Sequence, residues 1–257
     1  LTPLRLEIAG VRVELRVPDA EPPELSRFRP FEKDSGAIDW TLDLGPGRLE
    51  AAVPPGLTLH ERDGAWRTDV PEGAWLDPGS GRGAAPLDPG VLLLDTLVRA
   101  AVSWSVLAAG GLLLHGAAVV VDGRAHLFPA RSGSGKSTLA ARARYPLSDE
   151  VSILLPGRAG FEVHATPWWT SRGGTAQLAC VYALAWGSEG VEPLRGTALR
   201  QLATNLVLPL DGPGTRRRAL AAAARVAATV PFARLAFRPD SDVDQLLRAA
   251  SPDGHVG

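Results

Sequence analysis

The segment Ala130-Arg131-Ser132-Gly133-Ser134-Gly135-Lys136-Ser137-Thr138 constrains this chain more than any other. An apolar run at 125–128 leads into it, and a helix-forming run at 137–144 leads out. Strand, Gly/Ser/Lys loop and helix form the context in which G-x-x-x-x-G-K-[ST] builds a phosphate-binding loop, or P-loop. Gly133 and Gly135 allow successive backbone N–H groups to turn toward phosphate oxygens. The helix opening near Lys136 adds the positive end of its dipole. Lys136 is the expected partner of β- and γ-phosphates, and the Ser137 hydroxyl the expected Mg²⁺ ligand. The nucleotide-binding set is therefore Ser132, Gly133, Ser134, Gly135, Lys136, Ser137 and Thr138, with ATP and Mg²⁺ as cofactors. One position departs from the pattern: Ala130 replaces its first glycine. If that position requires positive φ, alanine costs about 1 kcal/mol there.

Residue usage sharpens this reading. Of 27 basic residues only Lys33 and Lys136 are lysines. In a chain that otherwise uses arginine, a lysine set among Gly and Ser marks a place that needs a compact ammonium. The net charge of −1 does not point to nucleic acid or an anionic membrane. No apolar run reaches the roughly 18 residues of a membrane helix. Leu1-Thr2-Pro3-Leu4-Arg5 has no basic-then-apolar leader pattern, and Cys180 is the single cysteine, so a reducing cytoplasm is expected.

The first ninety residues read as a β-rich domain. Residues 4–8 and 11–17 alternate apolar and polar side chains around Ala9-Gly10, and 38–44, 48–53 and 57–61 are further strands. Pro, Gly and Asp crowd residues 71–90, which reads as a linker and sets the domains at 1–90 and 91–257. Asp88 or Asp95 is the candidate cap of a helix over 92–109, which Gly110-Gly111 stops. After the short apolar piece 112–115, residues 117–121 and 125–128 form a hairpin through the type I′ turn Asp122-Gly123. Beyond the loop, strands are expected at 151–155, 176–186 and 234–237, and helices at 196–207, 215–230 and 241–250. The fold class is α/β (α+β).

An antiparallel hairpin feeding the loop, with His115-Gly116 before it and Leu147-Ser148-Asp149-Glu150-Val151 after the helix, resembles the catalytic domain of HPr kinase/phosphorylase. It is more similar still to the smaller HPr-kinase-related proteins associated with peptide modification. The resemblance spans about 112–155 by motif and extends loosely to the C-terminus. It implies a kinase fold shared with phosphoenolpyruvate carboxykinases, and it assigns roles. His115 matches the active-site histidine, Lys136 the loop lysine, Ser137 the Mg²⁺ ligand, and Asp149 the aspartate that takes the proton of the acceptor hydroxyl. Glu150 stands where the family has a second aspartate, which places Ser137, Asp149 and Glu150 around the metal.

The implied function is an ATP- and Mg²⁺-dependent serine kinase, with Asp149, His115 and Lys136 catalytic and a protein or peptide Ser/Thr hydroxyl as acceptor. A homo-oligomer is compatible with it. Two alternatives stay open: a non-catalytic ATP-binding regulator or peptide-recognition module, and a small-molecule or carboxykinase-like kinase. Secondary candidates for binding are His164 with Thr166-Pro167-Trp168-Trp169, and the run Arg216-Arg217-Arg218. His60, His126 and His255 have no partners legible in the sequence, and Cys180 reads as a core residue.

Overall fold

The computed structural model describes residues 3–17, 23–45, 57–69, 73–86, 92–168 and 173–250. Expected features at 48–53, Asp88, Trp169 and His255 lie outside them. The fold is α+β with sheets dominating. Its contacts divide it into two units: Leu1–Ala109 with Leu208–Arg218, and Gly110–Val207 with Ala219–Gly257. Among the described residues no helix is long and apolar enough to cross a membrane.

The first unit is an eight-stranded sheet with one long helix against it. Strands β1 (Leu4–Ile8) and β2 (Val11–Arg16) form the expected hairpin. Ala9 and Gly10 both take positive φ at its turn. A 3₁₀ segment, Pro23–Phe31, precedes β3 (Trp40–Gly45). Then come β4 (Leu59–Arg62), β5 (Ala65–Arg67), β6 (Trp75–Asp77), β7 (Arg82–Pro86) and α1 (Leu92–Ala108). The sheet order is β1-β2-β3-β7-β6-β5-β4, and it ends on β15 (Leu210–Asp211), which returns late in the chain to pair parallel with β4.

The expected linker 71–90 thus contains two sheet strands. Both are short, and β7 is built of small residues that give no alternation signal. Gly83 is required in it: a Cβ there would lie 2.8 Å from the Trp75 carbonyl oxygen. The division between units also falls at 109/110 rather than at residue 90. The reason is packing, because α1 lies against β2, β3, β6 and β7. Trp40 Nε1 donates to Ser105 Oγ at 2.9 Å, Arg27 pairs with Asp95 at 2.5 Å, and Trp66 meets Trp104 edge-on at 6.0 Å.

The second unit holds the Gly/Ser/Lys segment. Its strands are β8 (Leu112–Val121), β9 (Arg124–Pro129), β10 (Pro146–Ser148), β11 (Val151–Gly157), β12 (Gly160–His164), β13 (Thr175–Trp186), β14 (Gly190–Pro193) and β16 (Phe232–Phe237). The helices are α2 (Lys136–Arg142), α3 (Ala198–Ala203), α4 (Pro213–Thr229) and α5 (Val243–Ala250). The sheet runs β10-β8-β11-β12-β13-β16-β14, with β9 bridging β8 and β13. Strands β9, β13 and β16 are mutually parallel, so their C-terminal ends lie on one side.

The hairpin β8–β9 has positive φ at both Asp122 (49°) and Gly123 (77°), as a type I′ turn requires. The short apolar piece 112–115 and the strand 117–121 are one continuous strand, β8. Gly116 makes this possible, because its missing side chain leaves room for the Phe128 carbonyl oxygen and Pro129 Cα, both 3.0 Å from where a Cβ would stand. On one face of the sheet Ala117, Val119, Val121, Phe128, Tyr182, Leu235 and Phe237 pack with Leu139 and Ala140 of α2 and Val243 and Leu247 of α5. This core fixes α2, and with it the loop that precedes it.

Candidate functional site

The loop begins where β9 ends. Gln201 of α3 secures that end, its Nε2 donating to the carbonyl oxygens of Pro129 (3.3 Å) and Tyr182 (3.0 Å). The Ala130 N–H then donates to the His115 carbonyl at 3.3 Å. Ala130 is not among the residues with positive φ, so the departure from the glycine pattern carries no backbone strain. The left-handed positions are Gly133 (φ 79°) and Gly135 (φ 95°). Gly135 is doubly constrained. A Cβ there would lie 2.7 Å from Trp186 Cζ2 and 3.0 Å from Phe237 Cζ. Gly135 is the N-cap of α2, and its carbonyl accepts from the Leu139 N–H at 2.9 Å.

Lys136 is 4% exposed, and its Nζ donates to the Arg131 carbonyl at 2.9 Å. The ammonium carries three donors, and this carbonyl takes one. Burial lowers its pKa, against the opposing pull of Glu150 and Asp149. Those two carboxylates are close enough to act on the lysine because β8 and β11 pair with Val151 opposite His115. The Gly116 N–H donates to the Glu150 carbonyl at 3.0 Å, which fixes the turn that carries Asp149 and Glu150. Beneath it Ser152 Oγ donates to the Gly116 carbonyl at 3.1 Å and meets Ser148 Oγ at 2.5 Å.

Asp149 is the least satisfied group of the set. Its Oδ1 is buried without a hydrogen-bond partner, as is Ser134 Oγ in the loop. Buried polar atoms are nearly always paired, so two orphans in one site call for a physical account. Burial pushes the Asp149 carboxyl above its ordinary value and the neighbouring Glu150 charge pushes it further, while its own backbone N–H and Lys136 pull it down. His115 Nδ1 lies 3.3 Å from Glu150 Oε1. In the alternation of β8, His115 falls on the same face as Ala117 and Val119, the face that α2 covers.

Ser132, Ser137 and Thr138 are exposed along the loop and the first turn of α2, so their hydroxyls are open to an incoming group. Mg²⁺ is the ion expected with the loop. That ion takes one or two carboxylates and completes its shell with phosphate oxygens and water. Asp149 and Glu150 are two carboxylates and Ser137 adds a hydroxyl, although no group of three or more His, Cys, Asp or Glu that could hold a metal ion is found among the described residues.

The secondary candidates make the following contacts. His164 Nδ1 lies 2.8 Å from Thr175 Oγ1, across the β12–β13 pair. Thr166 Oγ1 donates to the Val151 carbonyl at 2.6 Å, and Trp168 is buried. Arg216 pairs with Asp211, and Arg218 lies 5.3 Å over the Trp104 ring, both within the first unit. His126 is buried, with Nδ1 3.2 Å from Tyr182 Oη, and burial lowers its pKa to about 4. Cys180 is partly buried, and its thiol is pushed up to about 11.

Sequence reasoning did not single out Trp186 or Gln201. Trp186 was legible as the last residue of an apolar run ending at Gly187, but its exposure and its position at the loop were not.

A family model described as SynChlorMet cassette protein ScmC matches residues 90–182. Its match includes the loop, His115, Asp149 and Glu150. No curated protein matches the chain.

Proposed function

We propose that this protein is an ATP- and Mg²⁺-dependent phosphotransferase that phosphorylates a serine-type hydroxyl on a protein or peptide. The observation that carries the reading is Asp149, a carboxylate with a buried, unpartnered oxygen, electrostatically coupled to the buried ammonium of Lys136. A P-loop reading of 132–138 and the resemblance to HPr-kinase-like enzymes supply the rest.

The division of labour follows from the chemistry. Phosphoryl transfer needs reactants in line and charge neutralised, more than covalent participation by the protein. The loop N–H groups and Lys136 hold the transferring phosphate, and Lys136 offsets negative charge as it builds up. Bound Mg²⁺ would supply further neutralisation, held by the Ser137 hydroxyl with Asp149 and Glu150. Asp149 orients the acceptor hydroxyl and accepts its proton through the carboxylate oxygen that the metal leaves free. His115 holds the Glu150 carboxylate in place.

Calorimetric titration of Mg-ATP into the wild type, Lys136→Ala and Asp149→Asn tests this. Micromolar to sub-millimolar binding is expected in the wild type, loss in Lys136→Ala, and retention in Asp149→Asn. With an acceptor peptide found by screening, Asp149→Asn is expected to lose turnover by about 10²- to 10⁴-fold. Failure of the wild type to bind Mg-ATP would refute the assignment. Unchanged transfer in Asp149→Asn would remove Asp149 from the chemistry.

A further inference from the structure

Parallel strands β9, β13 and β16 end on one side of their sheet, and ligands of open α/β sheets gather outside such C-terminal ends. The loop follows β9. Strand β13 runs further: Leu127 is level with Val181, so Trp186 lies beyond the end of β9, at the height of the loop. Its register partner on β16 is Phe237. The two rings pack at 4.6 Å between centroids with 33° between planes, and Phe237 is only 1% exposed. Trp186 itself is 50% exposed, one of few large apolar residues left open to solvent among those described. Its ring edge closes on the Gly135 backbone, which tolerates no side chain there.

An indole backed by a buried ring, fixed against a glycine of the phosphate loop and open on its remaining surface, has the form of a stacking platform. We infer that the exposed indole of Trp186 receives the base of the nucleotide, and that the donor is a purine nucleoside triphosphate rather than a phosphate donor without a ring. This rests on the phosphate-site reading of 132–138. Two features favour a base over other occupants. The ring is continuous with the loop that would hold the triphosphate, and stacking uses the π-face that every base offers. A purine covers more of the indole than a pyrimidine does.

The test compares Mg-ATP, Mg-CTP and Mg-tripolyphosphate on the wild type, Trp186→Ala and Trp186→Phe, with binding read by calorimetry and folding by circular dichroism. Wild type is expected to prefer Mg-ATP to both other ligands. Trp186→Ala should weaken Mg-ATP by about 5- to 100-fold and leave Mg-tripolyphosphate unchanged. Trp186→Phe, which keeps an aromatic face and guards against a folding defect, should recover most of the loss. Equal affinity of the wild type for Mg-ATP and Mg-tripolyphosphate, or an equal loss of both in Trp186→Ala, overturns the platform and leaves the phosphate site standing. A wild type that binds none of the three overturns both.

Discussion

Replacing Gly135 by alanine separates two physical effects that meet at one residue. The backbone sits at φ 95°, where an L side chain costs about 1–2 kcal/mol. The added Cβ would also stand 2.7 Å from Trp186 and 3.0 Å from Phe237. Forced overpacking of this kind costs about 1–3 kcal/mol. Trp186 is half exposed and held by its packing on Phe237, so it gives way only in part, and Phe237 is enclosed, so both rings contribute to the steric cost. Together the terms give about 2–4 kcal/mol of lost stability. Gly133→Ala is the internal control. Its φ is 79°, yet nothing lies within 4 Å of the added atom, so only the backbone cost of about 1–2 kcal/mol remains. Urea unfolding of both variants, repeated in a Trp186→Ala background, completes the cycle. Gly135→Ala should exceed Gly133→Ala by about 1–2 kcal/mol, and the excess should shrink once the indole is gone. A Gly135→Ala cost no larger than that of Gly133→Ala, or an excess that does not change without Trp186, would refute the close approach of indole and loop.

Other outcomes follow from the titrating groups. The His126 pKa is lowered to about 4 by burial, so the fold holds it neutral. Its contribution is fully present above the unfolded value of about 6.5 and is lost as pH falls from there through about 4. The urea midpoint of the wild type should decline over that window, and His126→Leu should flatten the decline. The Asp149 pKa is raised, which has the opposite sign: its contribution is present at low pH and is lost as pH rises through the folded value. Asp149→Asn should therefore melt at a higher temperature than the wild type at pH 7, even as it loses transfer activity. Gly116→Ala places a Cβ 3.0 Å from the Phe128 carbonyl and Pro129 Cα, and calorimetric melting should show about 1–3 kcal/mol of destabilisation.

Much of the second unit was legible because its signals are local. Asp122-Gly123 between two apolar runs dictates a hairpin, and the glycines of 132–135 dictate a loop before α2. The proximity of Asp149 to Lys136 was expected from the resemblance to a family, and the β8–β11 pairing supplies its geometry. What escaped was carried by non-local contacts. Strand β10 is three residues long and opens on proline, and it exists because β8 offers it an edge. The continuity of 112–115 with 117–121 was not read from the sequence, because the need for a glycine at 116 comes from Phe128 and Pro129. Trp186 reads as one more apolar residue until the register of β13 against β9 carries it past the strand end. The first unit was less legible still, since β6 and β7 are short, β7 is built largely of small residues, and both are set among the Gly and Pro that suggest a linker.

The return of the chain to the first unit has a consequence for the order in which it can form. The outer edge of β4 must wait for β15, since Leu59 pairs with Leu210 and the Leu59 N–H donates to the Pro209 carbonyl at 2.8 Å. At ribosomal rates of about 5–20 residues per second, that edge stays open for on the order of ten seconds. An open strand edge invites pairing with another nascent chain. Strand β4 reads Leu-His-Glu-Arg, and its last two side chains are exposed. The same charged residues that give a weak strand signal thus guard the edge until synthesis delivers its partner.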